Sequence, residues 1–187
     1  MTILNNKISF GAFPSLEAQV AAISDDIAYN NHDLEDGLRA GLFSIKKLNS
    51  ITFISKLINK HIKNIKNFRK EIIISQIVRD LINLMVIDVI NTTNKNLQRC
   101  NPQTINDIYN QDHPIVDFSY KMKRIDKQIK DFLRSNMYNH KKVIVNTNKG
   151  KKIINDLFKN NSKERVIADF IAGMTDRYAI NLYKKIK

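Results

Sequence analysis

Tryptophan is absent from this chain of 187 residues, cysteine occurs once, and glycine and proline occur only five and three times. The single Cys100 excludes an internal disulfide and any zinc cage built on cysteines. Few glycines and prolines mean few forced chain breaks, which disfavours a turn-rich β architecture. No apolar run approaches the roughly 20 residues of a membrane-spanning helix; "EIIIS" and "VIDVI" are short and bounded or interrupted by charge. The opening "MTILNNKISF" lacks the basic start and long apolar stretch of a secretory signal. These absences leave the cytosol as the expected address and give no reason to expect a membrane partner. Acidic charge is scarce too: 18 Asp and Glu stand against 31 Lys and Arg, for a net charge of +13.

A hydrophobic share of 43% is ordinary for a folded domain, and the length suffices for a sizeable core. The positive balance suits a polyanion partner, because clustered Lys and Arg neutralise phosphates. Two observations weaken that reading. Asn and Lys together make up roughly a quarter of the chain, a blend that AT-rich codons produce without selection for binding. Lys also far outnumbers Arg, whose planar guanidinium is better suited to phosphate recognition. The basic stretch "KKLNSITFISKLINKHIKNIKNFRK" is amphipathic, but its lysines lack the regular interleaved aromatics of a stacking platform, so a solvated helix face is expected.

Periodicity near 3.6 residues recurs along the chain and predicts an all-helical fold with no repeat or linker, a single helical unit over 1–187. Pro14-Ser15 opens the first helix, with Ser15 its N-cap, and Gly41 closes it. A second helix places Phe53, Leu57, His61 and Ile65 on one stripe, with Lys56, Lys60, Lys63 and Lys66 largely off it. A long third helix, from about 69 to 97, lines a core with Ile73, Ile77, Leu81, Val86 and Ile90. Loops at Pro102 and "HPIVDFS" flank a short helical turn. Helices resume at "MKRIDKQIKDFLRSNMY", at "VIVNTNKGKKIINDLFK" and at "KERVIADFIAGMTDRYAINLYKKI". Residues 143–145 also fit a strand, but one strand would have no partner.

The segment "ISDDIAYNNHDLEDGLRAG" concentrates acidic residues. As a helix at 100° per residue, Leu16, Val20, Ile23, Ile27 and Leu34 form a narrow apolar arc, and Asp25, Tyr29, His32, Asp33 and Asp36 lie opposite. The acids are flanked by Ala21, Ala22 and Ala28 rather than by long polar side chains, and no cation follows until Arg39. Stacked carboxylates repel one another unless a metal ion or a basic partner compensates. One helix cannot complete a catalytic metal site, and the other histidines add little. His61 falls on an apolar stripe, His113 precedes a proline, and His140 ends a helix. By spacing alone, His32-Asp33 is an accidental dipeptide rather than a metal motif.

Two segments, "SLEAQVAAISDDIAYNNHDLEDGLRAGLF" and "RVIADFIAGMTDRYAINLY", resemble signature segments of the dGTPase-like deoxynucleotide triphosphohydrolases of the HD-domain superfamily. "VDFSYKMKRIDKQIKDFLRSNMYNHKKV" resembles the same family between them, in the same order. The likeness runs from about residue 13 to the C-terminus. It implies that Asp25 is the last aspartate of the family's metal site, that Tyr29 and Asp33 contact the deoxyribose, and that Asp26, Asp169 and Asp176 brace the site. His32 is then incidental or substrate-facing, and the pair His32-Asp33 is not the family's His-Asp. Asp169, Gly173 and Asp176 share one helical face, with Gly173 permitting close helix approach. Two positions depart from the pattern: Phe170 stands where Tyr is usual, and Asn139 where Arg is common.

The resemblance further implies a divalent metal cofactor such as Mg²⁺ or Mn²⁺ and a deoxynucleoside triphosphate substrate. Hydrolysis at the α-phosphorus would release deoxynucleoside and triphosphate. The family's first metal His, its His-Asp pair and its glycine-rich stretch have no counterpart in the sequence, which corresponds to the C-terminal half. No catalytic residue is assigned with certainty, and the half is expected to work as a homo-oligomer or with a complementary N-terminal chain. Apolar surface left uncovered is expected to promote self-association. The alternative is a non-catalytic helical module that binds nucleotides or nucleic acid, or that oligomerises.

Overall fold

A computed structural model of the chain describes residues 13–64, 69–159 and 164–186. Among them every regular element is helical. The order is α1 (Leu16–Arg39), a 3₁₀ turn (Ile45–Ser50), α2 (Thr52–Asn64), α3 (Lys70–Cys100), α4 (Ile105–Tyr109), α5 (Tyr120–Leu133), a π turn (Arg134–Tyr138), α6 (Lys141–Lys159), α7 (Glu164–Ala172) and α8 (Asp176–Ile186). The chain divides into two compact units, residues 1–134 and 135–187.

In the first unit α1 and α2 both pack on α3, and α5 packs on α1. The core is aliphatic: Leu34 and Leu38 from α1, Ile54 and Ile58 from α2, Ile74, Ile77, Leu81 and Met85 from α3, and Ile129 and Leu133 from α5 are all buried. Each such side chain contributes about 1.5–3 kcal/mol by leaving water. The segment after α1 is locked by Phe43, whose ring meets Phe132 edge-on at 4.9 Å. The boundaries of α1 follow the expected chemistry. Ser15 Oγ accepts from the Ala18 amide at 3.4 Å. At the other end Gly41 adopts φ +67°, the Leu42 N–H donates to Gly37 O at 2.9 Å, and the Gly41 N–H to Leu38 O at 3.3 Å. That is the paired 6→1 and 5→2 arrangement of a Schellman terminus.

The expected core stripe of α3 needs correction past Leu81. Val86 and Ile90 are exposed, at 39% and 53%. The step from Leu81 to Val86 is five residues, about 140° round the helix, so the buried face continues through Met85 instead. Val20 of α1 is likewise exposed, and with Ile23, Val86 and Ile90 it lines an open apolar groove of about 340 Å³. Ile65 lies outside the described residues.

In the second unit α7 and α8 pack on α6. Leu157 and Ile167 are buried, and Tyr183 donates to Asp156 at 3.1 Å. Residues 143–145 belong to α6, not to a strand. The segment 164–186, expected as one helix, is two: α7 stops at Ala172, and the Tyr178 amide bonds Thr175 Oγ1 at 3.3 Å as α8 begins. Asp169 and Asp176 therefore do not share one continuous helical face. Gly173 does not mediate a tight approach either, because an added Cβ would meet only Asp169 O at 3.6 Å and Phe170 O at 3.7 Å. His140, expected to end a helix, instead precedes α6, and its Nδ1 accepts from the Lys142 N–H at 3.3 Å.

Candidate functional site

Helix α1 buries one side and displays the other. Its buried residues are Gln19, Ile27, Asn30, Asn31, Leu34, Gly37 and Leu38. Asp25, Tyr29, His32 and Asp36 are exposed and Asp33 is half-buried. Tyr29 is 60% exposed, unusual for so large a ring set between alanines and acids. Among the described residues neither Asp25 nor Tyr29 makes a hydrogen bond or ion pair. Asp25 and Tyr29 are thus two chemically able side chains four residues apart that, among the described residues, are unsatisfied from within.

Polar anchors hold this helix from beneath. Gln19, 6% exposed, accepts from the Ile115 and Val116 amides at 2.9 and 3.1 Å and donates to Pro14 O at 2.8 Å. It ties the loop before α5 to the start of α1. Further along, Asn30 donates to Asp126 Oδ1 at 3.1 Å, and Lys130 bridges Asp126 and Asp26, at 2.9 Å to each. Burial pushes the Lys130 pKa down, but hydrogen bonds and charge from Asp126 and Asp26 outweigh it and hold it above the usual lysine value. Asp26 is thereby turned to α5, about 100° round the helix from Asp25. At the C-terminal end Arg39 bonds Glu35 at 2.6 Å and Ser75 Oγ at 2.9 Å, joining α1 to α3.

Asp126, Lys130, Asn30 and Gln19 were not singled out by sequence reasoning. Asp126 carried a legible signal: it falls among Met122, Ile125 and Ile129 on the buried stripe of α5, where an unpaired acid would be untenable. The remaining candidates lie elsewhere. Asp169 pairs with Arg165 at 3.0 Å on an exposed surface of the second unit, and Asp176 opens α8 there. His61 is a packed histidine, its side chain 13% exposed, and its Nε2 lies 3.1 Å from Asp80 Oδ2. Burial pushes the Asp80 carboxyl up, but hydrogen bonds from Lys60 and His61, with their charges, outweigh it and hold it below the usual carboxylate range.

A metal site needs three or four converging donors. Among the described residues no three His, Cys, Asp or Glu side chains converge in that way. Asp25 offers one exposed carboxylate, so the donors among the described residues do not by themselves fit a tightly held catalytic metal. What the face can supply is one carboxylate ligand, an aromatic surface and a second carboxylate, in register along one helix.

Among the described residues the fold is that of an all-helical protein. The phosphohydrolase-associated domain matches residues 116–162 and 159–185. Deoxyguanosinetriphosphate triphosphohydrolase-like proteins match nearly the whole chain. That of Pelagibacter ubique is 52% identical over 196 residues, covering 97% of this chain and 53% of the relative. Those of Brucella anthropi and Thiobacillus denitrificans are 35% and 34% identical, covering 93% and 92% of this chain and 48% and 50% of theirs. The chain belongs to this family and corresponds to its C-terminal half. It spans about half the length of the relatives it matches.

Proposed function

We propose that this chain contributes the nucleoside-facing half of a deoxynucleoside triphosphohydrolase site, on the exposed face of α1. Asp25 would supply one ligand to a divalent metal, Mg²⁺ or Mn²⁺. Tyr29 would pack its ring on the deoxyribose, where a 2′-hydroxyl would collide, and Asp33 would accept from the 3′-hydroxyl. The observation that carries this reading is the pair Asp25 and Tyr29, exposed and, among the described residues, without internal partners, in a chain whose relatives are named for triphosphate hydrolysis. Asp26, held by Lys130, fixes the rotation of α1 so that Asp25 faces outward. The overall reaction is hydrolysis of a deoxynucleoside triphosphate to deoxynucleoside and triphosphate. The remaining metal donors must come from outside the described residues, and the expected compartment is the cytosol. Among the described residues no helix is long and apolar enough to cross a membrane.

The test measures triphosphate release from a deoxynucleotide mixture with Mg²⁺, Mn²⁺ or Co²⁺. The 187-residue chain alone should release little, and addition of the N-terminal half of a relative should restore release. Asp25→Ala should abolish the restored activity, and Tyr29→Ala should raise KM more than it lowers kcat. Restored activity that is indifferent to Asp25→Ala would sink the assignment.

A further inference from the structure

Helix α1 is flanked differently on its two sides. Asp26 lies about 100° round the helix from Asp25 in one direction, and α5 closes that flank through Lys130. Ser24 lies about 100° round in the other direction and lines the apolar groove of about 340 Å³ between α1 and α3. Each of these helices gives the groove a complete stripe. Positions 20, 23, 24 and 27 of α1, and 86, 89, 90 and 93 of α3, follow the i, i+3, i+4 and i+7 spacing of a core-facing surface. No charged residue lines the groove, in a chain that is 26% charged. Yet Val20, Val86 and Ile90 are 48%, 39% and 53% exposed. Two such stripes on packed neighbours form the seat for a third helix, whose side chains would fill the ridge-and-groove surface they present.

We propose that this groove seats one amphipathic helix from the N-terminal part of the family's protein, the part of the relatives that this chain does not match. The Pelagibacter ubique relative is matched over 53% of its length, so nearly half of it lies outside the match. The donors that would complete a metal site with Asp25 are not among the described residues. A polypeptide that brings them to Asp25 finds one flank of α1 open, because α5 fills the other. A helix seated along positions 20–27 runs beside Asp25 and holds the chain that precedes or follows it within reach of that carboxylate. A second copy of this chain would cover the same aliphatic stripes, but its described residues bring no converging donors. The docking rests on the groove alone; the role of the docked part rests on the reading of Asp25 as a metal ligand.

The experiment co-expresses the full chain with the tagged N-terminal part of the Pelagibacter ubique relative and measures how much chain is recovered on the tag in EDTA. Recovery in equal amounts is expected, and the complex should not self-associate as the chain alone does. Val86→Glu and Ile90→Glu put a charge into the groove at positions exposed in the chain alone. Both should fold normally, as far-UV circular dichroism checks, and lower recovery at least about tenfold. Lys152→Glu, on α6 of the second unit, should leave recovery unchanged. Asp25→Ala should also leave it unchanged in EDTA, while abolishing triphosphate release once metal is restored. Recovery indifferent to both groove variants would overturn the proposal. Self-association that persists in the mixture and disappears with Ile90→Glu would give the groove to a second copy and overturn it as well. Triphosphate release indifferent to Asp25→Ala would sink the metal reading and leave the docking standing. If the tagged part does not fold alone, one polypeptide joining it to this chain keeps the proposal testable. Hydroxyl-radical footprinting should then show Val20 and Ile90 less oxidised than in the chain alone, and equal oxidation would overturn the proposal.

Discussion

Gly37 sits near the end of α1 with the Phe43 ring against it; a Cβ built there would lie 2.3 Å from Phe43 Cε1. Phe43 is buried against Phe132 and cannot swing away. Gly37→Ala should therefore destabilise the chain. Overpacking at about 1–3 kcal/mol outweighs the roughly 1 kcal/mol that Ala gains as a helix former; urea denaturation should show a lower midpoint at unchanged slope. Asp126 is a second pressure point. Asp126→Ala strips Asn30 of its acceptor and Lys130 of one of two carboxylates. Because Lys130 keeps Asp26 and stays partly exposed, the expected cost is about 1–3 kcal/mol, below that of a fully buried broken pair. Asp25→Ala and Tyr29→Ala should shift stability by no more than about 0.5 kcal/mol, since neither side chain has an internal partner to lose. A large loss of stability in either would show that the α1 face is structural, not presented for a ligand.

At the scale of elements, the two glycines that follow helices behave oppositely. Gly41 closes α1 in the left-handed region, where a Cβ meets the following carbonyl. Gly41→Ala should cost about 1–2 kcal/mol and fray the last turn of α1. Gly173, between α7 and α8, has no such constraint and open room for a Cβ. Gly173→Ala should be neutral or stabilising by about 0.4–1 kcal/mol, because it restricts the unfolded chain. A melting-temperature shift of opposite sign in the two variants is the simplest check. The break between α7 and α8 depends on Thr175, whose hydroxyl caps the Tyr178 amide. The sequence "AGMTD" permits a continuous helix by periodicity and a capped restart by side-chain chemistry, and the cap prevails.

For the molecule as a whole, charge sets two limits on stability. Asp80 has a folded pKa below its unfolded value, so its contribution is present above the ordinary carboxylate pKa and is lost as pH falls through the folded one. Lys130 is the reverse: raised in the fold, it contributes fully below the ordinary lysine pKa and loses that contribution as pH rises through the folded value. Stability measured against pH should be flat near neutrality with respect to these two groups and decline below about pH 4 and above about pH 10. Asp80→Asn should lower the neutral plateau and make the acid decline shallower. The apolar groove lined by Val20, Ile23, Val86 and Ile90 gives a further whole-molecule expectation. Exposed aliphatic surface of this kind favours association, so size-exclusion chromatography should show self-association that Ile90→Glu reduces. A monodisperse monomer at high concentration would count against it.

Helicity, the limits of α1 and the existence of α3 and α5 were all legible in one sequence, because capping chemistry and apolar periodicity are local properties. Ser15 and Gly41 do at the ends of α1 what their residue types predict. The family was legible as well, since the segments "ISDDIAYNNHDLEDG" and "RVIADFIAGMTDRY" resemble its signature segments and the relatives match nearly the whole chain. Side-chain partners across the chain were not. Periodicity says which residues share a face, but not which faces are covered: Val86, Ile90 and Val20 sit on apolar stripes and remain exposed because no neighbouring helix lies over them in the first unit. It also could not show that Lys130 would occupy Asp26 and leave Asp25 free, a choice made by α5 crossing α1 some hundred residues later. The same packing decides which cations are neutralised by distant acids. Local free energies write the elements into the sequence; only the meeting of distant elements settles which charges and rings remain available for a ligand.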